Sequence, residues 1–95
     1  MDRLKGKVAL ITGAGTGMGS VAAQIFAAEG ARIMVVDINA EMGNATVDAI
    51  KSEGGQAAFI AADVSDEQQV QAMVKGALDN FGALHIVYNN AGIFP

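Results

Sequence analysis

Four short apolar runs alternate along the chain with longer segments whose apolar residues recur at helical spacing. The first run, Val8-Ala9-Leu10-Ile11, is unbroken by polar residues, as expected of a strand buried on both faces of a parallel sheet. Val21, Ala22, Ile25, Phe26 and Ala28 then predict a helix that ends before Gly30. Ala31 to Val36 is a second run, ending at Asp37. Asn39 is the expected N-cap of a helix through Ala49 or Ile50, stopped by Gly54-Gly55. A third run, Ala57 to Ala61, leads to Asp63. Ser65 and Gln68 stand at the spacing of a capping box, with Asp66 and Glu67 well placed for the first turn. Val70, Met73, Val74, Ala77, Leu78 and Phe81 form the clearest amphipathic stripe in the chain, and Gly82 ends it. Leu84 to Tyr88 predicts a fourth strand, running into Asn89-Asn90-Ala91-Gly92.

Strands that alternate with helices imply a parallel sheet with right-handed crossovers. The expected architecture is therefore α/β: a Rossmann-like doubly wound parallel sheet of order 3-2-1-4, truncated after the fourth strand. Thr12, Asp37, Asp63 and Asn89 fall at the four strand ends, so one edge of the sheet gathers them. In open sheets of this kind ligands bind beyond that edge, where strand order reverses, which here is the first strand.

Thr12-Gly13-Ala14-Gly15-Thr16-Gly17-Met18-Gly19 leaves from that first strand and opens a helix. Without side chains in the way, a ligand phosphate can approach the free N–H groups of the first helical turn, and the helix dipole adds partial positive charge there. The spacing TGxxxGxG in a strand-turn-helix setting reads as a pyrophosphate cradle. A P-loop needs a lysine at the helix start, and Met18-Gly19-Ser20 supplies none. Asp37, at the end of the second strand, stands where a dinucleotide site places the acid that accepts from the adenosine ribose. It reads otherwise as a helix cap or a solvated turn acid. As a ribose ligand its carboxylate would repel a 2′-phosphate by on the order of 1 to 4 kcal/mol, favouring NAD over NADP about tenfold or more. Asp63 is equally an adenine contact or an acid in the turn before the Ser65 cap. Asn89 to Gly92 joins two amides with two small residues that would let a ligand come close.

Composition narrows the classes. Hydrophobic residues make up 52% of the 95 and charged ones 17%, which argues for one small domain with a core rather than a disordered chain. A net charge of −4 argues against a nucleic-acid or anionic-membrane partner. With no cysteine and one histidine, no disulfide framework and no metal site is expected. Met1 to Lys7 leads into an apolar run too short for a signal peptide, and no run approaches about 18 apolar residues, so a cytoplasmic location is expected.

These motifs together resemble the short-chain dehydrogenase/reductase family in its classical branch, over essentially the whole chain. TGAGTGMG matches that family's TGxxxGxG, Asp37 its NAD-selecting acid, Asp63-Val64 its adenine contact, and Asn89 to Gly92 its NNAG signature. The resemblance implies that Gly13, Thr16, Gly17 and Met18, with Gly19 closing the motif, hold the pyrophosphate and riboses of NAD. By the same resemblance Asp37 and Ile38 take the adenosine ribose, Asp63 and Val64 the adenine, and Asn90, Ala91 and Gly92 the remaining cofactor wall. His85 and Tyr88 depart from the usual lead-in to NNAG, and for His85 a structural role is expected over a catalytic one. The serine and Tyr-x-x-x-Lys pair with which the family moves protons lie downstream of NNAG, and the position four after Tyr88 is Gly92. Residues 1–95 are thus expected to be an NAD-binding half-domain with no catalytic residue of its own. Its parent would exchange hydride between NAD and a secondary alcohol or ketone, as a homo-oligomer. The alternatives are a non-catalytic NAD-binding module and an unstable truncated fragment. An unpaired Leu84 to Tyr88 edge, with one helix on one face of the sheet, predicts self-association or marginal stability.

Overall fold

The computed structural model describes residues 3–15, 17–63 and 66–90. Its elements run β1 (Val8–Thr12), α1 (Gly17–Ala28), β2 (Arg32–Asp37), α2 (Ala40–Ser52), β3 (Gln56–Ala61), α3 (Glu67–Phe81) and β4 (Ile86–Asn89). The strands form one parallel sheet in the order β3-β2-β1-β4, as the alternation of patterns requires. β1 pairs with β2 from Val8↔Arg32 to Thr12↔Val36, and with β4 from Ala9↔Ile86 to Thr12↔Asn89.

Alternate residues of the two central strands feed two cores. Ala9, Ile11, Ile33 and Val35 pack with Ala23, Val47 and Ile50 beneath α1 and α2. Leu10, Met34 and Val36 pack with Met73 and Ala77 beneath α3 on the other face. This two-sided burial is why β1 and β2 read as continuous apolar runs. α2 lies close on the sheet because Gly43 faces the Phe59 ring, and a Cβ at Gly43 would fall 2.9 Å from Phe59 Cζ.

Helix faces differ from expectation. α1 buries Gly19, Ala22 and Ala23, while Val21 and Ile25 are 50% and 55% exposed. The helix is apolar around most of its circumference, so periodicity alone does not identify the inner face, which carries Ala22, Ala23 and the partly buried Phe26. In α3 only the Met73 and Ala77 line is buried, with Val70 and Phe81 partly covered, whereas Val74 and Leu78 remain exposed. Among the described residues α3 is alone on its face, so one flank of the stripe has nothing to pack against.

The ends also shift. Asn39 caps α2 as expected, its Oδ1 accepting from Met42 N at 2.9 Å, but the helix continues to Ser52 and Glu53 is its C-cap. Asp66 caps α3, accepting from Gln68 N at 2.9 Å. Ser65, the expected cap, lies outside the described residues. Gly82 stops α3 at φ +76, its N–H bonded to Leu78 O at 2.8 Å. β4 begins at Ile86 rather than Leu84. His85 instead fastens the start of β1: its backbone N–H donates to Val8 O and its Nδ1 accepts from Val8 N, both at 2.9 Å. Tyr88 meets Phe26 edge to face, with centroids 5.9 Å apart. His85 thus acts structurally through hydrogen bonds to β1 and Tyr88 through packing.

Candidate functional site

The glycine turn sits where β1 separates its neighbours β2 and β4, so it can be tied from both sides. Ala14 N donates to Val36 O at 3.0 Å and Gly15 N to Asp37 Oδ2 at 2.8 Å, both on β2. From the β4 side, Thr12 Oγ1 donates to Asn89 Oδ1 at 3.0 Å, and Asn90 Nδ2 makes a longer contact of 3.4 Å to Gly13 O. The turn is built by left-handed backbone at Gly13 (φ +62) and Gly17 (φ +57), which residues with a Cβ rarely adopt.

A third tie comes from α2, and the sequence pattern does not reveal it. Thr46, 3% exposed, donates from Oγ1 to Ala14 O at 2.8 Å. Its hydroxyl proton is thereby committed, so the 3.0 Å contact with Ser20 Oγ has Ser20 as donor. Gln24 Nε2 donates in turn to Ser20 Oγ at 3.2 Å. The relay Gln24, Ser20, Thr46 ends on a carbonyl of the turn, which it holds inward. The only sequence signal is a hydroxyl in the inner stripe Gly43, Thr46, Val47, Ile50 of α2.

Gly19 and Gly17 play opposite parts. A Cβ on Gly19 would penetrate the Gly13 carbonyl and fall 2.8 Å from Asn90 Nδ2, so this glycine lets α1 close onto the turn. A Cβ on Gly17 would meet nothing within 4 Å. Space is therefore open beside the start of α1, where first-turn N–H groups lack intrahelical acceptors. Met18 and Ile38 flank this region, exposed at 70% and 73%. This open, donor-rich helix start fits the pyrophosphate of a dinucleotide.

Asp37 does not cap α2, a role taken by Asn39. Its Oδ1 accepts from Asn39 N at 2.9 Å while Oδ2 holds Gly15. Two backbone donors thus fix the carboxylate plane, leaving it half-buried at the strand edge. Asp63 lies beyond the end of β3 rather than at its last position. Ala62 N still donates to Asp37 O at 3.2 Å, and Asp63 N donates to Gln69 Oε1 in the first turn of α3. Thr16, Val64, Ala91 and Gly92 lie outside the described residues. Among the described residues no cluster of three metal-binding side chains occurs, and no helix is long and apolar enough to cross a membrane. A concavity lined by Gln24, Ala27, Ile50 and Glu53 lies between the C-terminal ends of α1 and α2, away from the strand edge that carries Asp37.

The chain is 46% identical over 90 residues to 7alpha-hydroxysteroid dehydrogenase of Escherichia coli, covering 95% of this chain and 35% of that protein. It is 44% identical over 92 residues to cyclohexanol dehydrogenase of Acinetobacter sp. strain SE19, covering 97% and 37%. The solved structure of a 7 alpha-hydroxysteroid dehydrogenase complexed with NADH and 7-oxo glycochenodeoxycholic acid superposes with a TM-score of 0.88 at 44% identity, over 90% of this chain and 33% of that one. The chain thus spans about a third of the length of these relatives. A family model described as short chain dehydrogenase matches residues 7–95, nearly all of a chain whose sheet order and glycine turn agree with that match, and the protein accordingly belongs to the short chain dehydrogenase family.

Proposed function

We propose that residues 1–95 are the NAD-binding half of a dehydrogenase that acts on a secondary alcohol or the corresponding ketone. The observation that carries this reading is the Asp37 carboxylate, fixed by Gly15 N and Asn39 N beside the open start of α1. When bound, the nicotinamide ring supplies the hydride acceptor or donor. The chain's own residues bind and orient. Gly13, Thr16, Gly17, Met18 and Gly19 form the pyrophosphate cradle, and Asp37 and Ile38 the adenosine ribose seat. Asp63 and Val64 are assigned to the adenine, and Asn90, Ala91 and Gly92 to the remaining cofactor wall. Cyclic secondary alcohols named for two relatives support the substrate class. Tyr88, engaged edge-on with Phe26, supports a binding role for this half rather than a proton-transfer one.

The carboxylate supports NAD over NADP by charge: repulsion of a 2′-phosphate by about 1.4 kcal/mol corresponds to tenfold in affinity. Asp37→Ala is expected to lower the ratio of NADH to NADPH affinity about tenfold, read by fluorescence titration with each reduced cofactor. An unchanged ratio would sink the assignment of Asp37.

β4 supports a second expectation. It occupies one edge of the described sheet with Val87 54% exposed, and α3 leaves Leu78 47% exposed. Sedimentation velocity over a range of concentrations is expected to show this chain self-associating. A single monomeric boundary throughout would overturn that expectation.

A further inference from the structure

We propose that Gly15 is a specificity-determining position, because it fixes where the Asp37 carboxylate stands; the inference rests on the reading of Asp37 as the acid that selects NAD. Gly15 N donates to Asp37 Oδ2 at 2.8 Å, and Asn39 N occupies the other oxygen at 2.9 Å. A Cβ on Gly15 would fall 2.7 Å from Asp37 Oδ2 and 2.9 Å from its Cγ, closer than real Cβ contacts come. It would also fall 2.9 Å from Met42 Cβ. Gly15 is not among the glycines with positive φ, so its backbone would accept any residue. Glycine leaves room here for the acid on one side and for Met42 Cβ on the other.

Of the two neighbours, Met42 Cβ is fixed to the backbone of α2, whereas the half-buried carboxylate ends a side chain that can rotate away. A side chain at position 15 therefore displaces Asp37 first. Displacement breaks both backbone hydrogen bonds and carries the negative charge off the ribose seat, removing acceptor and repulsion together. Gly15 is a positioning residue: it acts on the cofactor through Asp37.

The test is a double-mutant cycle of wild type, Gly15→Ala, Asp37→Ala and the pair, with NADH and NADPH affinities titrated for each. Gly15→Ala is expected to lower the NADH to NADPH affinity ratio about tenfold, as Asp37→Ala does, and the double variant to lower it no further. If Asp37→Ala lowers the ratio and Gly15→Ala leaves it at the wild-type value, the inference fails while the reading of Asp37 stands. If Asp37→Ala itself leaves the ratio unchanged, that reading fails. Ratios that fall additively overturn the inference, because position 15 would then act without the acid. Should Gly15→Ala lose its cooperative melt, the double variant is expected to regain part of it, since the clashing carboxylate is gone. A double variant no more stable than Gly15→Ala overturns the proposal.

Discussion

Gly19→Ala is expected to be the most damaging single-methyl change in the chain, destabilising the fold by about 3 kcal/mol and lowering the thermal midpoint by on the order of 15 °C. The added Cβ would penetrate the Gly13 carbonyl group, 2.7 Å from its carbon, and press on Asn90 Nδ2 at 2.8 Å. Most overpacking is relieved by a side chain that swings aside. Here the obstacle is main chain, following directly on the last paired residue of β1 and pinned at Ala14 by Val36 and Thr46. Either α1 must lift from the turn or the turn must leave β2, and each movement spoils the helix start proposed to receive phosphate. NADH affinity is therefore expected to fall with stability. Gly76→Ala in α3 is the control. Its Cβ would make ordinary contacts, 3.5 Å to Ile60 Cδ1 and 3.8 Å to Met34 Sδ. Loss of a mid-helix glycine is expected to add roughly 0.5 to 1 kcal/mol. Thermal or urea melts of both variants decide the matter, and a Gly19→Ala midpoint equal to wild type would mean that the turn relaxes freely.

Thr46→Val is expected to cost about 2 kcal/mol although it changes almost no volume. Valine keeps the shape but removes the donor to Ala14 O and the acceptor for Ser20 Oγ. Ala14 is fully buried, so its carbonyl cannot recover a partner from water. The penalty is that of an orphaned buried acceptor rather than of a lost surface hydrogen bond. Thr46→Ser keeps the hydroxyl and removes one methyl, so it is expected to retain NADH affinity close to wild type. Thr46→Val is expected to lower that affinity because the tie from α2 to the turn is gone. Equal melts and equal NADH titrations for the serine and valine variants would show that the hydroxyl does nothing for the turn.

Sequence patterns determined the sheet, its order and the strand edge that gathers the candidate site. Apolar runs buried on both faces, alternating with helical periods, admit little besides a parallel doubly wound sheet. Within that frame a glycine turn after β1 and an acid ending β2 must be neighbours, because β1 and β2 are. Asn39 was equally legible as a cap, since capping is a local bond between residues three apart. What the tertiary structure alone decided is which face a broadly apolar helix buries and how the turn is held. Val21 and Ile25 look as apolar as Ala22, Ala23 and Phe26, but only the latter three turn toward the sheet. Thr46 reads as an unremarkable helix residue until packing brings it to a carbonyl 32 residues away. Gly15 reads as one more flexible turn residue until Asp37 fills the space beside it. Periodicity and capping are properties of the local chain and survive in one dimension. Close packing between residues distant in sequence depends on atomic distances that no local pattern encodes, and the details of this site are set there.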